Sequence, residues 1–118
     1  MTYLLDTNTC IVHLRTLGKG PVSTRLVAAH GEVALCSIIL AELLFGALRS
    51  RDVAKNLAEL NTFSAGFPVL PFDDAVANAH ARTRADLAAR GLPIGPYDSI
   101  IAATAIHYDL TLVTHDTR

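Results

Sequence analysis

The sequence predicts an α/β protein, a three-layer α/β/α sandwich around a central, mainly parallel sheet. Two observations carry that expectation. Short apolar runs at 3–5, 33–36, 69–72 and 110–113 alternate with longer stretches whose apolar residues recur at helical spacing. Strands separated by crossovers of that length pair in parallel, and a parallel sheet needs helices over both faces.

Each element has a local reason. Tyr3-Leu-Leu5 is a short buried strand, after which Thr7 can cap a helix over 8–16. Leu17-Gly-Lys-Gly-Pro21 breaks the chain. A second helix over 22–30 is ended by Gly31, and 33–36 follows as a second buried strand. Ser37 is a good N-cap for a long helix reaching about residue 49. Over 51–62, Val53, Leu57 and Leu60 recur at helical spacing. Gly66 and Pro68 lead into a strand at 69–72, where Pro71, lacking an N–H, marks a sheet edge or a strand end. Asp73 caps a helix over 74–90, stopped by Gly91. Gly95-Pro96 opens the next, which runs to about 108 with proline at its first position, and the last strand is 110–113. No repeat or low-complexity segment intervenes, so residues 1–118 are expected to form one domain, large enough to bury a core without disulfides.

Apolar residues make up 51% of the chain against 18% charged, with no Trp, so the core is expected to be Leu, Ile, Val and Ala. A formal net charge of −1 gives no overall basic field, so any polyanion must be held by a local basic patch or by metal ions. Cys10 and Cys36 form no CxxC pair, and the five histidines, His13, His30, His80, His107 and His115, show no zinc-ligand spacing. They are expected to be buried thiols and scattered surface or capping histidines. The most hydrophobic stretch, 33–48, is shorter than the ~20 apolar residues of a membrane span, and Glu42 in its middle would cost about 2.5–3.5 kcal/mol there. With no signal peptide at the N-terminus, the expected location is the cytoplasm.

Ligands of parallel sheets bind beyond the carboxyl ends of the strands, and four acids stand near such positions. Asp6 directly follows the first strand, Glu42 lies in the second turn of the helix after the second, Asp98 is in the first turn after Gly95-Pro96, and Asp116 is three residues past the last strand. Asp6 also suits a cap, Asp98 a helix-dipole position and Asp116 a surface turn. Glu42 has no capping role, because the capping-box partner of Ser37 would be Leu40. Flanked by Ile38-Ile-Leu-Ala41 and Leu43-Leu-Phe45, it is expected to be surrounded by core and to need a counter-charge from elsewhere in the fold or from a metal. Carboxylates brought together oppose one another's ionisation, which a divalent ion relieves. Oxygen-only ligands select a hard ion such as Mg²⁺ or Mn²⁺, which acidifies water and steadies the attacking and leaving oxygens of a phosphodiester.

The sequence resembles the PIN-domain ribonucleases, and within them the small VapC-type toxins of type II toxin–antitoxin pairs. The resemblance rests on Leu4-Leu-Asp-Thr-Asn8, Ser37-Ile-Ile-Leu-Ala-Glu-Leu-Leu-Phe-Gly46, Val69-Leu-Pro-Phe-Asp73, Ile94-Gly-Pro-Tyr-Asp-Ser-Ile-Ile-Ala-Ala103 and Leu110-Thr-Leu-Val-Thr-His-Asp-Thr-Arg118. It implies a Mg²⁺- or Mn²⁺-dependent endoribonuclease that hydrolyses RNA phosphodiester bonds with metal-activated water, with tRNA or rRNA the usual target. By motif, Asp6 and Asp98 are implied as the main metal ligands, Glu42 completes or orients the site, and Asp116 matches a fourth acidic position that is neutral in many of these toxins. Thr7, Asn8 and Thr114 match small polar positions beside the acids, placed to hydrogen-bond the carboxylates or water. The resemblance further implies a homodimer, a cognate VapB-type antitoxin that plugs the site with a basic tail, and a larger assembly with it. Apolar surface around Ile11, Leu14 and Leu48 is the expected docking place. Arg49, Arg51, Lys55, Arg82, Arg84 and Arg90 are the basic residues available to RNA, though solvated helix faces account for most such charges. Tyr97 stands where Asn is common, and family members usually continue past the position of Arg118 through an acidic-aromatic pair into one more strand.

Three other readings are open to test. A haloacid-dehalogenase-type phosphatase needs a second Asp two residues after the first, where this chain has Asn8. A receiver domain needs a Lys beyond a late strand, and the only lysines are Lys19 and Lys55. A PIN-like scaffold that binds without cutting would be expected to have lost some of the four acids.

Overall fold

The computed structural model describes residues 2–16, 19–29, 31–92 and 94–114. Among them are strands β1 (Tyr3–Leu5), β2 (Val33–Cys36), β3 (Val69–Leu70) and β4 (Thr111–Val113). The helices are α1 (Thr7–Arg15), α2 (Pro21–Ala28), α3 (Ser37–Leu48), α4 (Val53–Ser64), α5 (Asp74–Ala89) and α6 (Pro96–His107). The strands lie in the order β3-β2-β1-β4 and every pairing is parallel, with Leu4 opposite both Ala34 and Leu112, and Leu35 opposite Val69. The chain steps outward from β1 through β2 to β3, then crosses back to add β4 on the other side of β1. Right-handed crossovers in opposite directions carry their helices over opposite faces, which is how one sheet becomes the middle of three layers. The reversal falls between β1 and β4, so the carboxyl ends of those two strands border the crevice where such sheets bind ligands.

All four residues of β2 are buried, and with Leu4, Leu5, Ile39, Leu43, Leu60, Ile101 and Ala105 they form the core. Cys10 and Cys36 belong to it as free thiols. Burial, reinforced by the charge of Asp6, pushes the Cys10 thiol up to about 12, and burial also raises Cys36, so neither is a ready nucleophile. Among the described residues no helix is long and apolar enough to cross a membrane.

Most element ends fall within two residues of the sequence expectation, but two caps differ. Asp6, rather than Thr7, caps α1: its Oδ1 accepts the Thr9 N–H at 2.8 Å, and Thr7 is the first helical residue. At α3 the cap position belongs to Cys36, and Ser37 instead donates its hydroxyl to the Leu70 carbonyl at 3.3 Å. The reason is common to both. The cap is the last residue with extended backbone, and Asp6 (φ −83°, ψ 172°) and Cys36 (φ −129°, ψ 164°) are still extended. Asp73 caps α5 as expected, accepting from Val76 N–H at 3.0 Å. Asp52 caps α4, which therefore begins at Val53. Pro71 stands just beyond β3, which is both a strand end and the sheet edge. Gly31 (φ 90°) and Gly91 (φ 66°) supply the left-handed conformation after α2 and α5.

Two histidines that the sequence left as scattered side chains are tethers between helices. His13 Nδ1 lies 2.7 Å from the buried Ser23 hydroxyl, with its ring tilted against Phe63 at 5.1 Å. Burial holds the His13 pKa below its ordinary value of 6.5. The unfolded chain thus takes up the proton first on acidification, and the stability associated with neutral His13 is full above about pH 6.5 and declines as pH falls toward the lower folded value. The midpoint of thermal unfolding is expected to drop between pH 7 and 5, and to drop less steeply in His13→Asn, which keeps a hydrogen-bonding group near Nδ1 without titrating. Identical slopes in the two proteins would assign the effect to other groups.

Candidate active site

Asp6 is fixed at the rim of the sheet by the backbone before its carboxylate does anything. Its N–H donates to the Val113 carbonyl at 3.0 Å, prolonging the β1–β4 ladder, and the Thr9 hydroxyl donates to that same carbonyl at 3.1 Å. With Oδ1 taken by the cap, Oδ2 has no hydrogen-bond partner among the described residues. Thr114, directly after β4, follows Val113, the residue paired with Leu5 at the end of β1, and it is exposed.

Glu42 reaches the same rim from α3. Its Oε2 accepts a hydrogen bond from the Thr7 hydroxyl at 3.0 Å, so one end of α1 binds both acids: Asp6 as its cap and Glu42 through Thr7. The expectation that core surrounds Glu42 is corrected here, because it is only half-buried. Only Ile39, Leu43 and Ala47 of α3 enter the core fully, while Phe45 is 64% and Leu48 59% exposed. A helix that is apolar all round in sequence need not be buried all round, and Glu42 lies where solvent or a ligand reaches it.

Asp98, the third residue of α6, is exposed, and its carboxylate folds back toward Gly95, where an added Cβ would stand 3.6 Å from Oδ2. Among the described residues no hydrogen bond joins it to Asp6 or Glu42, although α3 and α6 pack together. Asn8 is exposed in the first turn of α1. Asp116 lies outside the described residues, as do His30 and His115.

Among the described residues no three His, Cys, Asp or Glu side chains converge closely enough to enclose a metal ion. The donor set nonetheless suits a hard divalent ion held openly. Asp6, Glu42 and Asp98 offer oxygen only, and the ion pair among the described residues, Arg90 to Asp86 at 3.2 Å, is on the surface of α5 and neutralises none of them. Mg²⁺ typically takes one or two carboxylates and fills its remaining positions with water and substrate phosphate, so an enclosing cage is not required. Glu42 also lines a groove of about 460 Å³ together with Ile11, Leu14, Leu43 and Leu60 and the charged Arg15, Lys55 and Glu59. Of the other basic residues, Arg82 bonds Asn78 at 2.8 Å and Arg49 lies 5.9 Å over the Phe45 ring.

A parallel sheet with its direction reversal between β1 and β4, and Asp6 and Glu42 both bonded to the start of α1 at the carboxyl end of β1, defines the class as a three-layer α/β protein. The chain belongs to the PIN domain family, whose model matches residues 3–118. It is 36% identical over 118 residues to the tRNA(fMet)-specific endonuclease VapC of Shigella flexneri, covering 100% of this chain and 89% of that protein. It is 33% identical over 122 residues to ribonuclease VapC2 of Rickettsia felis, again covering 100% and 89%. Among solved structures, VapBC2 from Rickettsia felis bound to a DNA fragment from its promoter superposes with a TM-score of 0.90 at 29% identity, over 100% of this chain and 90% of that one.

Proposed function

We propose that this chain is the toxin of a type II toxin–antitoxin pair, an endoribonuclease dependent on Mg²⁺ or Mn²⁺ that works in the cytoplasm. The observation that carries the reading is the joint anchoring of Asp6 and Glu42 by the start of α1 at the carboxyl rim, in a chain that matches named ribonucleases over its full length.

Asp6, Glu42 and Asp98 would hold the ion, with Asp116 as a fourth acid. When bound, such an ion supplies Lewis acidity toward water and neutralises charge on phosphodiester oxygens. The chain's part is positional. The cap bond from Thr9 restrains Asp6, the Thr7 hydroxyl restrains Glu42, and each carboxylate keeps one oxygen outside those bonds. Asn8 and Thr114, both exposed, would hydrogen-bond the ligand carboxylates or bound water. Translation-related RNA, tRNA or rRNA, is the substrate class. Arg51, Lys55 and Arg84 are exposed, so their side chains are available to meet its backbone.

The groove beside Glu42 suits a VapB-type antitoxin. A segment with an apolar face would lie over Ile11 and Leu14, and a following basic tail would arrive at Glu42. Leu48 lies outside the groove and adds exposed apolar surface nearby on α3. A toxin homodimer and a larger assembly with the antitoxin complete the proposal.

The test is cleavage of RNA by purified protein. Activity is expected to vanish in excess EDTA and return on adding Mg²⁺ or Mn²⁺, and Asp98→Asn is expected to fold normally yet lose about 100-fold or more, since a neutral amide is a poor ligand for a hard cation. Undiminished cleavage in EDTA would sink the metal-dependent reading.

A further inference from the structure

We infer that His80 is a positioning residue for the Asp98 carboxylate, acting through Ser99. The inference rests on the reading of Asp98 as a metal ligand and concerns how that ligand is aimed.

The beginning of α6 has no side-chain cap. Gly95 occupies the cap position with no side chain to bond the first turn, and Pro96 has no N–H. Asp98 is exposed, and no hydrogen bond among the described residues restrains its carboxylate. Its direction therefore follows the backbone of residues 95–99.

That backbone is anchored by Ser99 of α6 and, through it, by α5. Ser99, 0% exposed, donates its hydroxyl to the Pro96 carbonyl at 3.0 Å, and His80 Nε2 lies 2.7 Å from that same hydroxyl. A serine hydroxyl carries one proton. With that proton committed to a carbonyl, which cannot donate, His80 must bring the proton of the second bond. The two contacts together thus assign His80 a protonated Nε2, donating to Ser99. The imidazole also meets the ring of Phe72, which follows β3 in the chain, edge-on with centroids 6.1 Å apart. A chain of contacts runs from the end of β3 through Phe72, His80 and Ser99 to the turn that carries Asp98, and the extensive α5–α6 packing supports it. Deleting the donor leaves the Ser99–Pro96 bond in place but removes the hydrogen bond that ties this turn to α5.

The test uses the full chain with His80→Ala, His80→Gln, His80→Leu and Asp98→Asn, and three measurements. These are amide hydrogen exchange of residues 97–100 without metal, direct Mn²⁺ binding by electron paramagnetic resonance, and RNA cleavage. His80→Ala is expected to exchange faster at 97–100 and to bind Mn²⁺ about tenfold more weakly, the scale on which partners of a metal ligand act. His80→Gln is expected to restore both, because its amide N–H₂ can take the place of Nε2–H. If His80→Ala does not fold, the comparison of Gln with Leu decides: tighter binding in Gln supports the role, and equal binding overturns it. Wild-type exchange and Mn²⁺ affinity in His80→Ala would overturn the positioning role alone. Wild-type Mn²⁺ binding and cleavage in Asp98→Asn would instead overturn the reading of Asp98 on which it rests.

Discussion

Asp6→Asn is expected to be as stable as the wild type and to cleave RNA at least about 100-fold more slowly, since even the neighbours of metal ligands are worth about 10- to 100-fold. The two halves of that result come from different atoms. Oδ1 accepts the Thr9 N–H as the cap of α1, and asparagine caps a helix about as well as aspartate, so the amide keeps the bond. The ligand role needs negative charge on the carboxylate, which asparagine lacks. Asp6→Ala loses both and should cost about 1 kcal/mol of stability in addition. Urea titration alongside a cleavage assay separates the effects. An asparagine variant that cuts at the wild-type rate would reduce Asp6 to a cap.

Leu35→Ala is expected to cost about 3 kcal/mol, within the range of about 2–5 kcal/mol seen for leucine truncation in cores. Leu35 is 0% exposed on β2, which has β1 on one side and β3 on the other, so its backbone is pinned in both ladders and cannot shift to fill the cavity left by the missing side chain. Its backbone bond to the Pro68 carbonyl at 2.9 Å survives the substitution, so the loss reports packing alone. For a domain stable by about 5–15 kcal/mol, with a urea slope near 1–3 kcal/mol/M, the unfolding midpoint should move down by about 1–3 M. Val27→Ala is the control: Val27 is 74% exposed, and its truncation should stay within about 0.5 kcal/mol. A Leu35→Ala midpoint equal to that of Val27→Ala would mean that β2 is not the packed centre of the sheet.

Much of the fold was legible because its signals are local. Gly31 and Gly91 ended helices, Asp73 capped one, Pro96 began another and Pro71 closed β3, each through chemistry confined to one turn of chain. Even the misplaced caps were off by one residue, because Thr7 and Ser37 satisfy the cap preference as well as their neighbours, and only the backbone angles separate them. The environment of Glu42 was less legible. Its neighbours in sequence are apolar, but Phe45 and Leu48 face outward, so the run of hydrophobic letters overstated burial. His80 carried no signal at all, since its partner Ser99 is 19 residues away on another helix.

By itself, the sequence determined the order of strands and helices, their parallel pairing and the presence of acids just past the strands. Hydrophobic period, proline geometry and cap chemistry act over one or two turns and need no partner from afar. Only the tertiary structure decided that β4 returns beside β1, that Thr7 reaches Glu42 across 35 residues, and that His80 fastens the turn bearing Asp98. Those contacts arise from strand order and helix packing, the sum of many small burial terms along the whole chain, so no short stretch of sequence contains them.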